Sequence, residues 1–260
     1  MAFLRRVAVA ATVLFSTVSA SAAQLPQLLD SALARGETAN AVRWAFTQEA
    51  TNNRANVRLR FMPEGQSGSW EVLELHGDSL GEDADEALRD MTDLEGDPDP
   101  DSDLTYEQLR FAIGDQDVEV LSETDTHITY GFAPLPWDDI EEDEVGLIAH
   151  MLAEVTVDRS GEYISTIRMY APESFSHMLV ARINHFEQIM RFEPEPTTGL
   201  PLMTYFNQEV RARAVFRNIN RNRTETYSDF VPMSRNGAAL SCGPETCASE
   251  YQIGEFLAAQ

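Results

Sequence analysis

The stretch PLMTYFNQEVRARAVF, residues 201–216, alternates two sets of side chains over the length of a long β-strand. One face carries Leu202, Thr204, Phe206, Gln208 and Val210, and the other carries Tyr205, Asn207, Glu209 and Arg211. Because successive side chains of a strand point to opposite faces, this period of two predicts a half-buried antiparallel strand. The stretches VARINHFEQIMRFEP at 180–194 and NRTETYSDF at 222–230 also read as strands. Long strands in up-and-down order favour one strongly curved sheet or a barrel.

The rest of the chain adds shorter strands and two helices. Strands are predicted at 41–48, 56–63, 68–75, 117–124 and 127–134, and a hairpin at 150–173 turns about Arg159, Ser160 and Gly161. The segment QLPQLLDSALAR, 24–35, has leucines at helical spacing, so it predicts a short amphipathic helix that stops at Gly36. The segment TYEQLRFAI, 105–113, predicts a second helix, capped by Thr105 and ended by Gly114. Residues 137–144 are predicted to be an acidic connection. The fold class expected is therefore mainly β (α+β).

Residues 1–23 have the three parts of a secretory signal peptide. Arg5 and Arg6 precede an apolar run at 7–15, and small residues fill 20–23. That apolar run is too short to cross a bilayer, and no later stretch reaches about 18 apolar residues. We therefore expect an exported chain without an integral membrane segment.

The charge balance excludes one class of partner. All 19 basic residues are arginine, whereas Asp and Glu total 43, giving a formal net charge of −24. A surface this negative repels phosphate backbones, so no nucleic-acid partner is expected.

The tetrapeptide GDSL, residues 77–80, matches the nucleophile block of a class of esterases and makes Ser79 a candidate nucleophile. Such an enzyme also needs downstream G-x-N-D and D-x-x-H blocks for the oxyanion donor and the general base. Neither spacing occurs in this chain. We therefore expect Ser79 to be a turn or cap residue and the protein not to be an enzyme.

Metal sites are not indicated by the spacing of acidic residues or histidines. The alternating aspartates Asp97, Asp99, Asp101 and Asp103 resemble a calcium loop, and the histidines considered are His127, His150, His177 and His185. The acidic run lacks the glycine at its sixth position and the glutamate at its twelfth that an EF-hand loop requires. A solvated acidic loop is expected, with weak surface binding of calcium as the alternative. No cofactor is expected.

Both cysteines lie near the carboxyl end. Cys242 and Cys247 stand in the sequence CGPETC. In an exported chain this pair predicts a local disulfide, because a C-x-x-C redox motif and further zinc ligands are both missing nearby. We expect residues 236–260 to form a disulfide-containing tail.

Two groups of side chains are candidates for ligand contact. Apolar residues on three neighbouring predicted strands, either lining a lipid cavity or packing as an ordinary core, are Trp44, Phe46, Val57, Leu59, Phe61, Trp70 and Val72. A basic stretch that contacts either an anionic head group or a partner contains Arg211, Arg213, Arg217, Arg221 and Arg223. The alternative for the arginines is cross-strand pairing with Glu209 and Glu225.

The hairpin VTVDRSGEYISTIRMYAPESF, residues 155–175, resembles the strand, D-x-x-G turn and strand of LolA-like periplasmic proteins, the outer-membrane lipoprotein-sorting group. As architecture the resemblance covers 24–230. It implies an unclosed, strongly curved antiparallel β-barrel, with a few short helices as a lid, spanning 24–235 and interrupted by an acidic insertion at 81–103. It also implies a periplasmic binder or carrier of lipid or lipoprotein acyl chains in a Gram-negative bacterium. The alternative is an envelope protein whose sheet and acidic loops contact other proteins without a small ligand.

Overall fold

The computed structural model describes residues 25–53, 55–64, 67–77, 104–106, 108–136, 142–177, 181–214 and 217–233. Helices are α1 (Gln27–Asn40), α2 (Leu109–Ile113) and α3 (Glu142–Ile148). Strands are β1 (Arg43–Asn52), β2 (Ala55–Glu64), β3 (Ser67–Gly77), β4 (Glu119–Glu123), β5 (His127–Phe132), β6 (Leu152–Asp158), β7 (Tyr163–Tyr170), β8 (Phe175–His177), β9 (Ala181–Pro194), β10 (Pro201–Ala214) and β11 (Arg217–Met233). The predicted signal peptide 1–23, acidic insertion 81–103 and tail 236–260 lie outside the described residues.

All eleven strands belong to one antiparallel sheet. Its order is β3-β2-β1-β11-β10-β9-β7-β6-β5-β4, and β8 pairs with β9 beside this path. Within the described strands the path begins at β3 and ends at β4 without closing into a barrel. The mainly β fold predicted from the alternating sequence is thus confirmed, and the carboxyl-terminal strand β11 lies between β1 and β10, near the middle of the sheet.

The predicted hairpin at 150–173 forms as β6 and β7. Its turn is held by the Asp158 carboxylate, because Oδ1 accepts hydrogen bonds from the Gly161 backbone N–H and from the Ser160 hydroxyl, both at 2.7 Å. Glu162 completes the turn at φ 50°, a left-handed conformation. Partial burial raises the pKa of Asp158, but the hydrogen bonds from Ser160 and Gly161 together lower it by more. The pKa of Asp158 is therefore below its ordinary value.

Helix α1 packs on β6, β7 and β10 and continues past the position where the sequence predicted its end. Gly36 was expected to stop the helix, and this prediction is wrong, because the helix runs to Asn40. The ring of Tyr106 occupies the space beside Gly36: a Cβ at that position would lie 2.2 Å from Cε2 of the ring. The Tyr106 hydroxyl donates to the Ala32 carbonyl at 2.9 Å, and burial raises the pKa of Tyr106. Gly36 therefore serves helix packing and does not cap the helix.

The other two helices differ from prediction at their starts. Helix α2 begins at Leu109 after an N-cap at Gln108, so the predicted cap at Thr105 is wrong. The Thr105 hydroxyl instead donates to Oδ1 of Asn40, the last residue of α1, at 3.3 Å. Gly114 ends α2 as predicted, at φ 57°. Helix α3 begins inside the segment predicted to be only an acidic connection.

The face of the sheet on which α1 packs, called the helix-side face below, carries the core. One cluster joins α1 and Tyr106 to β5, β6, β7, β9 and β10 through Leu29, Leu33, Tyr130, Val155, Ile164, Ile167, Phe192 and Met203. A second cluster joins the end of α1 to β1, β2 and β10 through Ala39, Trp44, Phe46, Phe61 and Leu202. A third contains Met151, Phe175, Ile183, Phe186 and Ala212. Alternation along the strands thus gives one largely apolar face.

Candidate functional site

Most of the predicted cavity residues lie in two packed clusters: an aromatic cluster of Trp44, Phe46, Phe61 and Trp70, and a smaller cluster that contains Val57 and Leu59. The five residues of this set on β1 and β2 are 0–2 % exposed, and they are Trp44, Phe46, Val57, Leu59 and Phe61. Phe46 pairs with Phe61 across β1 and β2, with ring centroids 5.2 Å apart, and Trp70 of β3 lies 5.1 Å from the Phe61 ring. The three rings pack directly against one another, as aromatic side chains do in a hydrophobic core.

Val72 departs from the rest of this set. It pairs with Leu59, but it stands on β3, which is an edge strand of the described sheet, and 48 % of it is exposed. The half-buried Trp70, two residues earlier on the same strand, marks where the aromatic cluster meets solvent.

The predicted arginine group is divided between the two faces of the sheet. Arg211 and Arg213 alternate with Val210 and Ala212 on β10, so they lie on the face opposite α1. The arginines of the group that lie on the helix-side face are on β11 and are Arg217, Arg221 and Arg223. These five residues therefore do not form one cationic surface.

Two of the arginines do pair with the glutamates named as alternatives. Arg211 bonds Glu209, and Arg223 bonds Glu225. Each partner is two positions away on the same strand, and both side chains therefore point to the same face. The predicted partners are correct, but the pairing runs along a strand and does not cross between strands.

Glu225 is the centre of a polar network in which Gln48 and Tyr227 were not predicted from the sequence. Its side chain is 3 % exposed, and its carboxylate accepts hydrogen bonds from the Arg223 Nε, the Tyr227 hydroxyl and the Gln48 Nε2, the last at 2.9 Å. A buried carboxylate is tolerated only when it is paired and hydrogen-bonded, and these three donors meet that requirement. Gln48 is also buried, at 5 % exposure.

Two glutamine side chains continue this line of polar groups across the sheet, and they bond each other, not Glu225. Gln188 of β9 lies opposite Gln208 of β10, and Gln208 lies opposite Arg223 of β11. The Gln208 Nε2 donates to the Gln188 Oε1 at 3.2 Å. Gln48, Gln188, Gln208, Arg223, Glu225 and Tyr227 are called the polar row below. It crosses four neighbouring strands on the largely apolar helix-side face.

Half-buried apolar side chains flank the polar row. On one side Phe206 lies opposite Met190, and the guanidinium of Arg223 is 5.9 Å from the centroid of the Phe206 ring. On the other side Val210 lies opposite Phe186. Met190, Phe206 and Val210 are all accessible to solvent in part. This part of the helix-side face therefore offers both apolar surface and hydrogen-bonding groups to a ligand.

The histidines lie apart from one another. His127 Nε2 is 3.5 Å from Asp158 Oδ2, the His150 ring stacks on Phe175 at 4.4 Å, and His185 Nε2 is 3.8 Å from Glu209 Oε2. His177 belongs to β8, and its side chain is outside the described residues. No group of three metal-ligating side chains occurs in the part of the chain that the structure describes. Ser79, the four alternating aspartates and both cysteines also lie outside that part.

A second surface with exposed apolar groups lies at the β4 edge of the sheet. All five residues of β4 are exposed, including Val120 at 52 % and Leu121 at 47 %. Strand β4 pairs with β5 on one side, and its other side has no partner among the described strands. An edge strand of this kind is a natural place for another extended chain to pair.

Comparisons with known proteins do not assign the chain to a family. No family model, no curated protein and no solved structure matches it. None of the helices within the described ranges has the length and apolar character needed to cross a membrane. The resemblance to LolA-like proteins therefore stays a prediction.

Proposed function

We propose that this protein is a non-enzymatic periplasmic carrier of acyl-chain ligands. In this proposal the sheet is strongly curved as an unclosed LolA-like barrel, and the short helices form a lid over its helix-side face. The observation that carries it is that partly exposed apolar side chains adjoin the buried core: Met190 and Phe206 pack against the cluster under α1, and Val210 packs against the third cluster. An acyl chain lying along these residues would extend the core without displacing it.

The packed rings limit where a ligand can lie. Phe46 and Phe61 already bury one another, so replacing their contacts with a ligand would gain little apolar burial. The half-buried residues of β9 and β10 still expose apolar surface. Burying methylenes against them contributes about 0.8 kcal/mol each. A chain with about ten sequestered carbons would gain several kcal/mol after its ordering costs, so affinity should rise with chain length.

The proposal is tested with delipidated mature protein and a series of fluorescent acyl probes of increasing length. Phe206→Ala removes a ring from the helix-side face, whereas Tyr205→Ala removes the neighbouring half-buried ring from the opposite face. We expect saturable binding that strengthens with length, weakens about tenfold in Phe206→Ala, and changes little in Tyr205→Ala. Absence of saturable uptake of every probe, together with no lipid in native mass spectra of protein taken from cells, would refute the carrier function.

A second function, contact with envelope proteins without a small ligand, is supported by the β4 edge. The exposed Val120 and Leu121 and the open side of this strand suit addition of a strand from a partner. The discriminating variant is Val120→Lys with Leu121→Lys, which blunts the edge and leaves the helix-side face unchanged. If β4 binds a partner protein, cross-links that form in cells between β4 and that partner should disappear in this variant. The carrier function predicts unchanged binding of acyl probes.

A further inference from the structure

The polar row crosses the largely apolar helix-side face between Phe206 and Met190 on one side and Val210 and Phe186 on the other. Burying amides and a carboxylate within such a face costs free energy unless their hydrogen bonds are met. Gln188 and Gln208 bond each other, and the Gln188 Nε2 also lies 3.8 Å from the Met190 Sδ; both side chains are only partly buried, so the two amides keep further capacity to donate and accept. A ligand on this face would meet hydrogen-bonding groups beside its apolar contacts.

The charge of the row is balanced. Arg223 is the cation of the row, and the carboxylate of Glu225 is bonded to its Nε. Glu225 is also held by Gln48 and Tyr227, so its negative charge is fixed beside the guanidinium. A ligand carboxylate or phosphate placed here would meet a compensated cation and would be repelled by Glu225.

We infer that the polar row binds the uncharged polar end of an amphiphile, such as a hydroxyl, ester or amide, whose acyl chain lies along Phe206 and Met190. This inference rests on the proposed carrier function and adds the chemical class of the ligand. The amides of Gln188 and Gln208 donate to the ligand's carbonyl oxygen and accept from its hydroxyl groups. The net charge of −24 on the chain acts in the same direction, because it disfavours anionic ligands at long range.

The two remaining helix-side arginines lie beyond the row. Arg221 is opposite Val210, and Arg217 is opposite Ala214 at the start of β11. Both are exposed to water, where a charged contact is weak and screened by salt. They are the residues through which an anionic head group would bind if the inference is wrong.

The experiment measures binding of two amphiphiles with the same chain, 1-monolauroylglycerol and lauric acid, to delipidated mature protein at pH 8 below their aggregation limits. The inference predicts that the neutral glyceride binds about tenfold more tightly than the carboxylate. Glu225→Gln, which keeps the size of the side chain and removes its charge, should reverse this order, because the carboxylate that repels an anionic ligand beside Arg223 is gone. Its thermal unfolding curve establishes that it is folded.

A second variant tests the role of the two glutamines without changing Glu225. Gln188→Leu with Gln208→Leu replaces the amides by apolar groups of similar size, and it should weaken the glyceride about tenfold while leaving lauric acid nearly unchanged. Arg221→Ala is the matched control and should alter neither ligand.

The possible results distinguish the inference about the polar row from the carrier function. Equal binding of the two amphiphiles, or tighter binding of lauric acid that Arg221→Ala abolishes, would overturn the inference while the carrier function stands. Failure of both amphiphiles and of all longer acyl probes to bind would overturn the carrier function as well.

Discussion

The ring of Tyr106 lies against Gly36 so closely that a Cβ at position 36 would approach its Cε2 atom to 2.2 Å. Tyr106 and Gly36 belong to segments separated by the three strands β1, β2 and β3. Their contact places α1 and the segment before α2 on the same part of the helix-side face. The missing side chain of Gly36 therefore determines how two segments of the core approach each other.

Gly36→Ala should lower the free energy of unfolding by about 1–3 kcal/mol, because overpacking outweighs the gain in helix propensity of about 1 kcal/mol. The measurement is urea denaturation followed by tryptophan fluorescence. In a Tyr106→Ala background the same change should become neutral or stabilising, since the clashing ring is gone. An equal loss in both backgrounds would show that the ring does not select glycine.

Glu225→Ala should destabilise the protein by about 2–4 kcal/mol, because it leaves Arg223 and Gln48 without their buried acceptor. Glu209→Ala breaks a comparable pair with Arg211, but that arginine side chain is 62 % exposed. Exposed pairs contribute about 0–1 kcal/mol, so this control should lie near the wild type. Thermal unfolding at low and high salt measures both, and similar losses in the two variants would contradict the assignment of Glu225 as buried support.

Phe46→Ala should cost about 3–5 kcal/mol of unfolding free energy, since it empties the centre of the aromatic cluster. Val72→Ala on the edge strand should cost less than about 1 kcal/mol, because the side chain is already 48 % exposed. Chemical denaturation compares the two. If Phe46→Ala were as mild as Val72→Ala, the rings would not be a tightly packed core.

Asp158→Asn should lower stability by about 1 kcal/mol at neutral pH, because an amide oxygen is a weaker acceptor than the carboxylate for Ser160 and Gly161. The pKa of Asp158 is lowered in the folded protein, so its contribution is complete above the unfolded pKa of about 3.9 and is lost as the pH falls through the folded pKa. The wild type and the variant should therefore converge in acid. The exposed Asp125 supplies the control at neutral pH, Asp125→Asn, which should change the free energy of unfolding by less than about 0.5 kcal/mol. A gap at position 158 that does not narrow below about pH 4 would contradict this account.

The strands were predictable because their signal is local. Residues 201–214 alternate in composition, and alternation depends only on neighbours in sequence. The end of α1 was mispredicted for the opposite reason, since Gly36 is a common stop signal, and the ring that fills its place comes from Tyr106. Tertiary contact overrode the local preference.

The polar row shows the same limit within the candidate site. Glu225 was named as a partner for the arginine group, but in a pairing across strands, whereas its bond to Arg223 runs along β11. Gln48 contacts Glu225 from 177 positions away, and neither residue breaks the pattern of its own strand in a recognisable way. Gln188 and Gln208 are ordinary strand residues until the register of β9 and β10 makes them neighbours. A site assembled by strand register has no signature in one sequence.

The position of β11 in the sheet has a consequence for the order of folding. Strand β1 pairs with β2 in a local hairpin, but its other edge is completed by β11, the last strand described. During synthesis, strands β1, β2 and β3 cannot pair with the main sheet until residues 217–233, which form β11, have been made. Pairings at this sequence separation give a high contact order and slow folding. Until β11 arrives, β1 and β10 both present open edges, and the nascent chain is most vulnerable to wrong pairing at this stage.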